Sequence, residues 1–304
     1  MKKAPQFATL VLSLFLVGTV GVYLRSPSLA LKPLYQFYLM RSGLKKVTRL
    51  VQGQTVSYYE GGAGPDLMLL HGFGDSKDSF VQAAQWLVPH YHVILPDMGG
   101  FGESAERPEL NYSIRSQVER MKALVDALGI TQADWVGNSM GGHISAAFTL
   151  RYPGWVKKLV VLSPAGLRVD NPTPYEPVTK PMETEEDFDR YMRQVFYKTP
   201  WIPSPFKKDF ISKSRARFDW YNRIRKDIRA GDDYILNDRI AEIHSPTLIV
   251  WGKHDDIVHP VHAPVWRAKI KNSTLMELED AGHSPQYEMP EKTANWVLEF
   301  LRSN

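Results

Sequence analysis

The sequence predicts an α/β fold: a mostly parallel eight-stranded sheet flanked by helices, with a helical insertion late in the chain and an apolar amino-terminal segment. Three observations predict it. From Val47 onward, short apolar and β-branched runs alternate with helix-compatible stretches, the pattern of a parallel sheet covered by helices. Between Ala165 and Ala241 this rhythm stops, and prolines and then aromatic, basic helices take its place. The 304 residues are 43% hydrophobic and 23% charged, an ordinary soluble composition that fits neither disorder nor a multi-span membrane protein.

The amino terminus comes first. Lys2 and Lys3 precede an uncharged, mostly apolar run from Ala4 to Leu24, closed by Arg25. At about 1.5 Å per residue this run crosses the roughly 30 Å hydrocarbon core of a bilayer. It also exceeds the ~7–15 apolar residues of a signal peptide. Residues 1–27 are therefore expected to form an uncleaved transmembrane anchor, with secretion after cleavage near Ser28-Leu29-Ala30 as the alternative. The expected location is the inner cell membrane with the globular body on the periplasmic, extracytoplasmic side. Lys2 and Lys3 face Arg25, Lys32 and Arg41 across the run, so the positive-inside rule does not choose the orientation. Residues 28–45 mix Leu31, Tyr35, Phe37 and Met40 with Lys32 and Arg41. They read equally as a juxtamembrane helix at the interface or as a first helix packed on the body. A homodimer through these helices is allowed, but Gly18 and Gly21 lack the four-residue small spacing of a strong dimer motif.

The body follows as residues 46–165 and 242–304, interrupted by residues 166–241. Strands are expected at Val47–Val51, Thr55–Glu60, Leu67–Leu70, His92–Leu95, Ala133–Val136, Leu159–Leu162, Thr247–Trp251 and Thr274–Glu277, with an amphipathic helix at Ser116–Leu128. Eight strands in one series imply one domain. No internal repeat or flexible linker interrupts them.

The chemistry centres on Gly137-Asn138-Ser139-Met140-Gly141, a G-x-S-x-G directly after one expected strand and before a helix-compatible run. At so tight a turn the flanking positions must be glycine, and the serine hydroxyl is left exposed to substrate. The plainer alternative is a structural Gly-rich turn. Serine is a weak nucleophile at its free pKa, so a base must take its proton and a carboxylate must orient that base. Two later loops supply candidates: Gly252-Lys253-His254-Asp255-Asp256, and Asp280-Ala281-Gly282-His283. Spacing alone does not separate Asp255 from Asp256. His283 is the expected base. Histidines 90, 92, 244, 254, 259 and 262 read as surface or packing residues, while His143 falls one helical turn after the serine and could line a pocket. Backbone N–H groups of Met140 and of Phe73, in the loop His71-Gly72-Phe73-Gly74, are the expected oxyanion donors. His71, Gly72 and Asn138 are candidate pocket residues. No metal or organic cofactor is called for.

Together these loops, with Pro96-Asp97-Met98-Gly99-Gly100-Phe101-Gly102-Glu103-Ser104, resemble the α/β-hydrolase superfamily from about Val47 to Leu301. Val136 to Gly142, Ser163-Pro164-Ala165-Gly166-Leu167 and Lys77-Asp78 are similar to monoacylglycerol lipases and to bacterial membrane-anchored lipases and phospholipases A1. The resemblance implies Asp255 as the acid, at the fifth position of W-G-x-x-D, and Asp97 as a structural residue. It also implies an insertion that acts as a lid over an acyl pocket, an acyl lipid substrate and a fatty acid product.

Composition trims the alternatives. Without cysteine there is no disulfide, thiolate nucleophile or Cys-ligated zinc. A net charge of +4 is modest and marks no nucleic-acid partner. The basic residues between Lys207 and Arg229 could meet anionic headgroups at a membrane surface or simply be solvated. The insertion's aromatics, Phe188 to Tyr221, could line an acyl tunnel or form the lid's own small core. Two other functions stay open: a carbon–carbon bond hydrolase of the meta-cleavage-product type, which the elbow also resembles, and a non-enzymatic fatty-acid receptor or folding factor with a vestigial triad.

Overall fold

The computed structural model describes residues 27–30, 32–104, 106–170, 178–231 and 235–303. The expected anchor lies outside them except for Pro27, and among the described residues no helix is long and apolar enough to cross a membrane. Chain order is α1 (Lys32–Ser42), β1 (Lys45–Val51), β2 (Gln54–Gly61), β3 (Asp66–Leu70), α2 (Val81–Leu87), β4 (His92–Pro96), α3 (Ile114–Ala127), β5 (Ala133–Asn138), α4 (Met140–Arg151), β6 (Val156–Leu162), α5 (Glu185–Val195), α6 (Ser204–Ala216), α7 (Phe218–Ala230), β7 (Thr247–Gly252), α8 (Ala263–Lys269), β8 (Ser273–Leu278) and α9 (Pro290–Arg302).

All eight expected strands join one sheet in the order β1-β2-β4-β3-β5-β6-β7-β8. β1 and β2 pair antiparallel, as do β2 and β4, and every other neighbour is parallel. Gln52 and Gly53, at φ 48° and 74°, make the two-residue turn between β1 and β2, because a turn with two positive φ angles matches the twist of a hairpin. Lys45, Lys46 and Arg49 keep the outer strand β1 charged and exposed, which discourages pairing with another chain.

The core lies on both faces of the sheet. Along the strands, Leu67, Leu69, Val93, Leu95, Leu248 and Val250 point one way and Met68, Leu70, Ile94, Ile249 and Trp251 the other, the period-two alternation of extended chain. The first face is covered by α2 and α9, the second by α3, α4 and α8. β5 and β7 are buried at every residue, as strands covered on both faces must be.

Helix α1 lies against this body. Leu39 and Ser42 are buried and Tyr35 and Tyr38 pack on the first core face, while Leu34, Phe37 and Met40 are exposed. The helix stops at Ser42, short of the expected boundary at 45, because Gly43 turns left-handed at φ 69° and Leu44 N–H closes onto Leu39 O at 3.1 Å.

Helices α5, α6 and α7 fall between β6 and β7. Thr184 and Asp187 cap α5 reciprocally, and Glu185, Glu186 and Asp187 suit its positive end. Phe188, Met192 and Ile211 form a small core of their own, whereas Trp220 and Tyr221 pack onto the main core. Trp201 stands 86% exposed. The ends of the insertion are joined: Leu236 N–H donates to Gly166 O at 2.8 Å, and Asn237 exchanges hydrogen bonds with the Arg168 backbone at 2.8 and 2.9 Å. Pro172, Pro174 and Pro177 lie outside the described residues.

One buried strand residue works against stability. Asp134 is 3% exposed, and burial pushes its carboxyl up to about 6 despite nearby Lys157 and Lys158. A folded-state pKa above the unfolded ~3.9 means that the native state binds the proton more tightly, so ionisation costs stability as pH rises from about 4 to 6. Asparagine can still accept from Lys158 N–H, which donates to Oδ1 at 3.0 Å. Asp134→Asn is therefore expected to stabilise the fold at pH 8 by on the order of 2 kcal/mol and to have little effect near pH 4. Urea unfolding at both pH values checks it; equal effects at the two would contradict the burial argument.

Candidate active site

Ser139 occupies the single-residue gap between β5 and α4, at φ 53° and ψ −116°. A non-glycine residue holds such a conformation only when its surroundings impose it. Here Ser139 N–H donates to Leu162 O at 2.9 Å, and the Ser139 carbonyl accepts from His143 and Ala165 N–H at 3.0 and 3.1 Å. The glycines on either side allow the sharp turn. A Cβ on Gly137 would lie 2.3 Å from Gly141 O, and one on Gly141 would lie 2.2 Å from Leu70 O.

The ends of β7 and β8 deliver the other two groups. His283 Nδ1 lies 2.9 and 3.0 Å from the two carboxylate oxygens of Asp255. Asp255 is 1% exposed, and its Oδ1 also accepts from Ile257 and Val258 N–H, each at 2.9 Å. Asp256 points outward and is exposed. Of the two aspartates that spacing leaves open, the buried Asp255 lies against the histidine and the exposed Asp256 does not.

The loop after β3 runs past the serine. A Cβ on Gly72 would touch Ser139 Cβ at 3.4 Å and Asn138 Oδ1 at 3.3 Å, so the loop that leads into Phe73 runs close to Ser139. Phe73 is half-buried between Phe101 and Tyr221, at ring centroid distances of 5.2 and 5.6 Å, with the Arg225 guanidinium 4.8 Å from its centroid. Met140, at the first turn of α4, is buried.

Three of the expected pocket residues are buried in the body. His71 is fully buried, with Nδ1 2.7 Å from Gly72 O and Nε2 accepting from Met98 N–H at 3.1 Å; it braces two loops. Asn138 is buried too, its Nδ2 donating to Leu162 O and His283 O at 3.1 and 3.0 Å, and its Oδ1 accepting from Gln286 at 3.1 Å. His143 is 2% exposed and packs against Gly166, where a Cβ would lie 2.7 Å from its ring. These side chains knit the site together from behind.

Sequence reasoning missed the partners of that network. Gln286 bridges Asn138 and Ser79, and Tyr287 O–H donates to Asp75 at 3.2 Å. Burial pushes the Asp75 carboxyl up, opposed by His71 and by the Ser76 N–H that it accepts. The signal was slight: three polar residues, Gln286, Tyr287 and Glu288, on one short turn next to His283.

A family model described as the α/β hydrolase fold matches residues 65–200 and 201–290. The chain is an α/β hydrolase. It is 33% identical over 93% of both chains to Lipase 1 of Psychrobacter immobilis, and 26% identical over 96% of its own length to the monoacylglycerol lipase ABHD6 of Homo sapiens, covering 92% of that protein. Among solved structures, this α/β hydrolase is similar to a membrane phospholipase A described as a bacterial virulence factor. The TM-score is 0.85 and the identity 30%, covering 97% of this chain and 98% of that one.

Proposed function

We propose that this α/β hydrolase is a membrane-anchored serine hydrolase that cleaves the carboxylic esters of acyl lipids: monoacylglycerol, lysophospholipid or the A1-type ester of a phospholipid. The observation that carries the reading is the strained backbone of Ser139, directly after Asn138, whose side chain donates to the carbonyl of His283, the partner of the buried Asp255. Its lipase relatives supply the substrate class.

Ser139 Oγ attacks the acyl carbonyl carbon while its proton passes to His283 Nε2. Asp255 holds Nδ1 and steadies the imidazolium. The oxyanion is held by the N–H groups of Phe73 and Met140. The carbon–oxygen bond to the glycerol side then breaks, and His283 returns its proton to the leaving oxygen. Water, deprotonated by the same histidine, releases the fatty acid and restores Ser139. Residues 1–27 serve as the anchor, 28–45 lie at the membrane, 46–165 and 242–304 form the catalytic body, and 166–241 act as a lid. The exposed Leu34, Phe37 and Met40 of α1, a few residues beyond the apolar run, support contact with lipid.

Purified full-length protein is expected to release fatty acid from at least one of detergent-dispersed monoacylglycerol, lysophospholipid and diacyl phospholipid, with Ser139→Ala inactive in parallel. Labelling of Ser139 by a fluorophosphonate without release from any of the three would sink the lipid assignment and leave an activated serine for another substrate.

A further inference from the structure

The helical insertion and the histidine loop meet at one carboxylate. Glu288 ends the short turn Pro285–Glu288. Its Oε1 accepts from Gly282 N–H at 2.8 Å and Ser284 N–H at 3.2 Å, and its Oε2 accepts from Tyr197 N–H at 2.8 Å. Between them His283 N–H donates to Val195 O, at the end of α5, at 2.9 Å. Both neighbours of the histidine and the residue itself are therefore tied by their backbone, directly or through Glu288, to residues 195–197. The approach is so close that a Cβ on Gly282 would lie 2.9 Å from Tyr197 N and 3.0 Å from Val195 O.

The same short segment reaches the acid loop. The Tyr197 ring stacks on His254, next to Asp255, with centroids 3.7 Å apart and planes 7° apart. Lys198 pairs with Asp280 at 2.9 Å. Burial pushes the Glu288 carboxyl up while the three amides pull it down. A carboxylate that accepts three backbone N–H bonds is a strong, directional fastening.

We propose that Glu288 is a positioning residue that fastens the His283 loop to the end of α5, so that the imidazole is held in line with Ser139 only while residues 195–197 are seated. The proposal rests on the reading of Ser139, His283 and Asp255 as the reacting groups. Its consequence is that the root of the insertion and the base move as one: any rearrangement of the insertion that lifts Tyr197 also slackens His283.

The test uses the full-length protein in detergent, a soluble short-chain ester, and the variants Glu288→Ala and Glu288→Gln. Glutamine keeps one acceptor oxygen but sets an NH2 against a backbone N–H, so it should release one side of the clamp. Because a displacement of about 1 Å can cost on the order of 100-fold in rate, Glu288→Ala is expected to lower kcat by about that factor with KM within about threefold, and Glu288→Gln by about tenfold. The downfield proton resonance of His283 Nδ1–H should move or broaden in both variants. Retention of kcat within about threefold in Glu288→Gln, with that resonance in place, would overturn the proposal. The resonance also separates the two layers of argument. If wild-type turnover proves independent of Ser139, the reading of the site fails, yet the resonance still decides whether Glu288 holds the histidine.

Discussion

Replacing Ser139 by alanine is expected to lower kcat toward any ester substrate by about 10⁵- to 10⁶-fold, the scale on which nucleophile removal acts in a serine triad. The fold should survive. Ser139 is 9% exposed, and its backbone N–H and carbonyl make the three hydrogen bonds that hold the turn, so losing the hydroxyl opens no sizeable cavity. The unfolding midpoint should stay within experimental error. A variant that keeps more than about 1% of wild-type kcat would remove Ser139 from the chemistry, since groups that act as a unit fail together.

Glycine at the same position separates function from strain. At φ 53° and ψ −116° a Cβ is unwelcome, and residues held in such regions cost about 1–3 kcal/mol each. Glycine relieves that strain but loses more freedom on folding, by about 0.5–1 kcal/mol. Ser139→Gly should accordingly be as inactive as Ser139→Ala and more stable than it by about 1 kcal/mol. Paired urea denaturation of the two inactive proteins measures the difference directly, and a less stable glycine variant would mean that the turn stores no strain.

What the sequence made legible follows from which forces act locally. β7 and the second half of β6, Leu159 to Leu162, are continuous apolar runs because both sheet faces are covered, so hydropathy alone finds them, whereas β5 carries Asp134 and Asn138 and shows only as a short apolar stretch ahead of the glycine-marked turn. Their ends run further than hydropathy suggests, as at Gly137, Asn138 and Gly252, because ladder hydrogen bonds set a strand's end. Ser139 and His283 stand out in the sequence because each lies in a glycine-marked turn after a strand. Asp255 and Asp256 were indistinguishable until one turned inward. Glu288 was hidden for a different reason: it recognises backbone amides, one of them 91 residues away, and backbone leaves no mark in a sequence. Lys77 was visible only as part of a motif, since its partner lies 20 residues on.

That partner makes Lys77 the site of the largest expected loss of stability. Its Nζ lies 2.6 Å from Asp97 Oδ2 and 2.9 Å from Glu103 Oε2, with the lysine side chain 3% and the Asp97 side chain 0% exposed. Asp97 also accepts from Lys77 N–H at 2.7 Å and Glu103 N–H at 2.9 Å, and a Cβ on Gly102 would lie 2.1 Å from its Oδ1. The loop after β4 is therefore wrapped around one carboxylate. Lys77→Met leaves that charge buried with its two amides alone, and breaking a buried pair in this way costs about 3–5 kcal/mol. The pH dependence follows from both partners. Burial pulls Lys77 down, but Asp97 and Glu103 outweigh it and raise its pKa, so its contribution is present below the ordinary ~10.4 and lost only as pH climbs past the raised value. Partial burial pushes Glu103 up, yet hydrogen bonds from Lys46, Lys77 and Ser57 bring it down to about 2; its contribution is present above the ordinary ~4.3 and is lost as pH falls toward that value. The stability gap between wild type and Lys77→Met should thus be flat from about pH 6 to 9 and narrow below about pH 4. Adding Asp97→Asn to Lys77→Met removes the orphaned charge and should recover part of the loss; a double variant no more stable than the single one would place the cost in lost packing around the lysine stem instead.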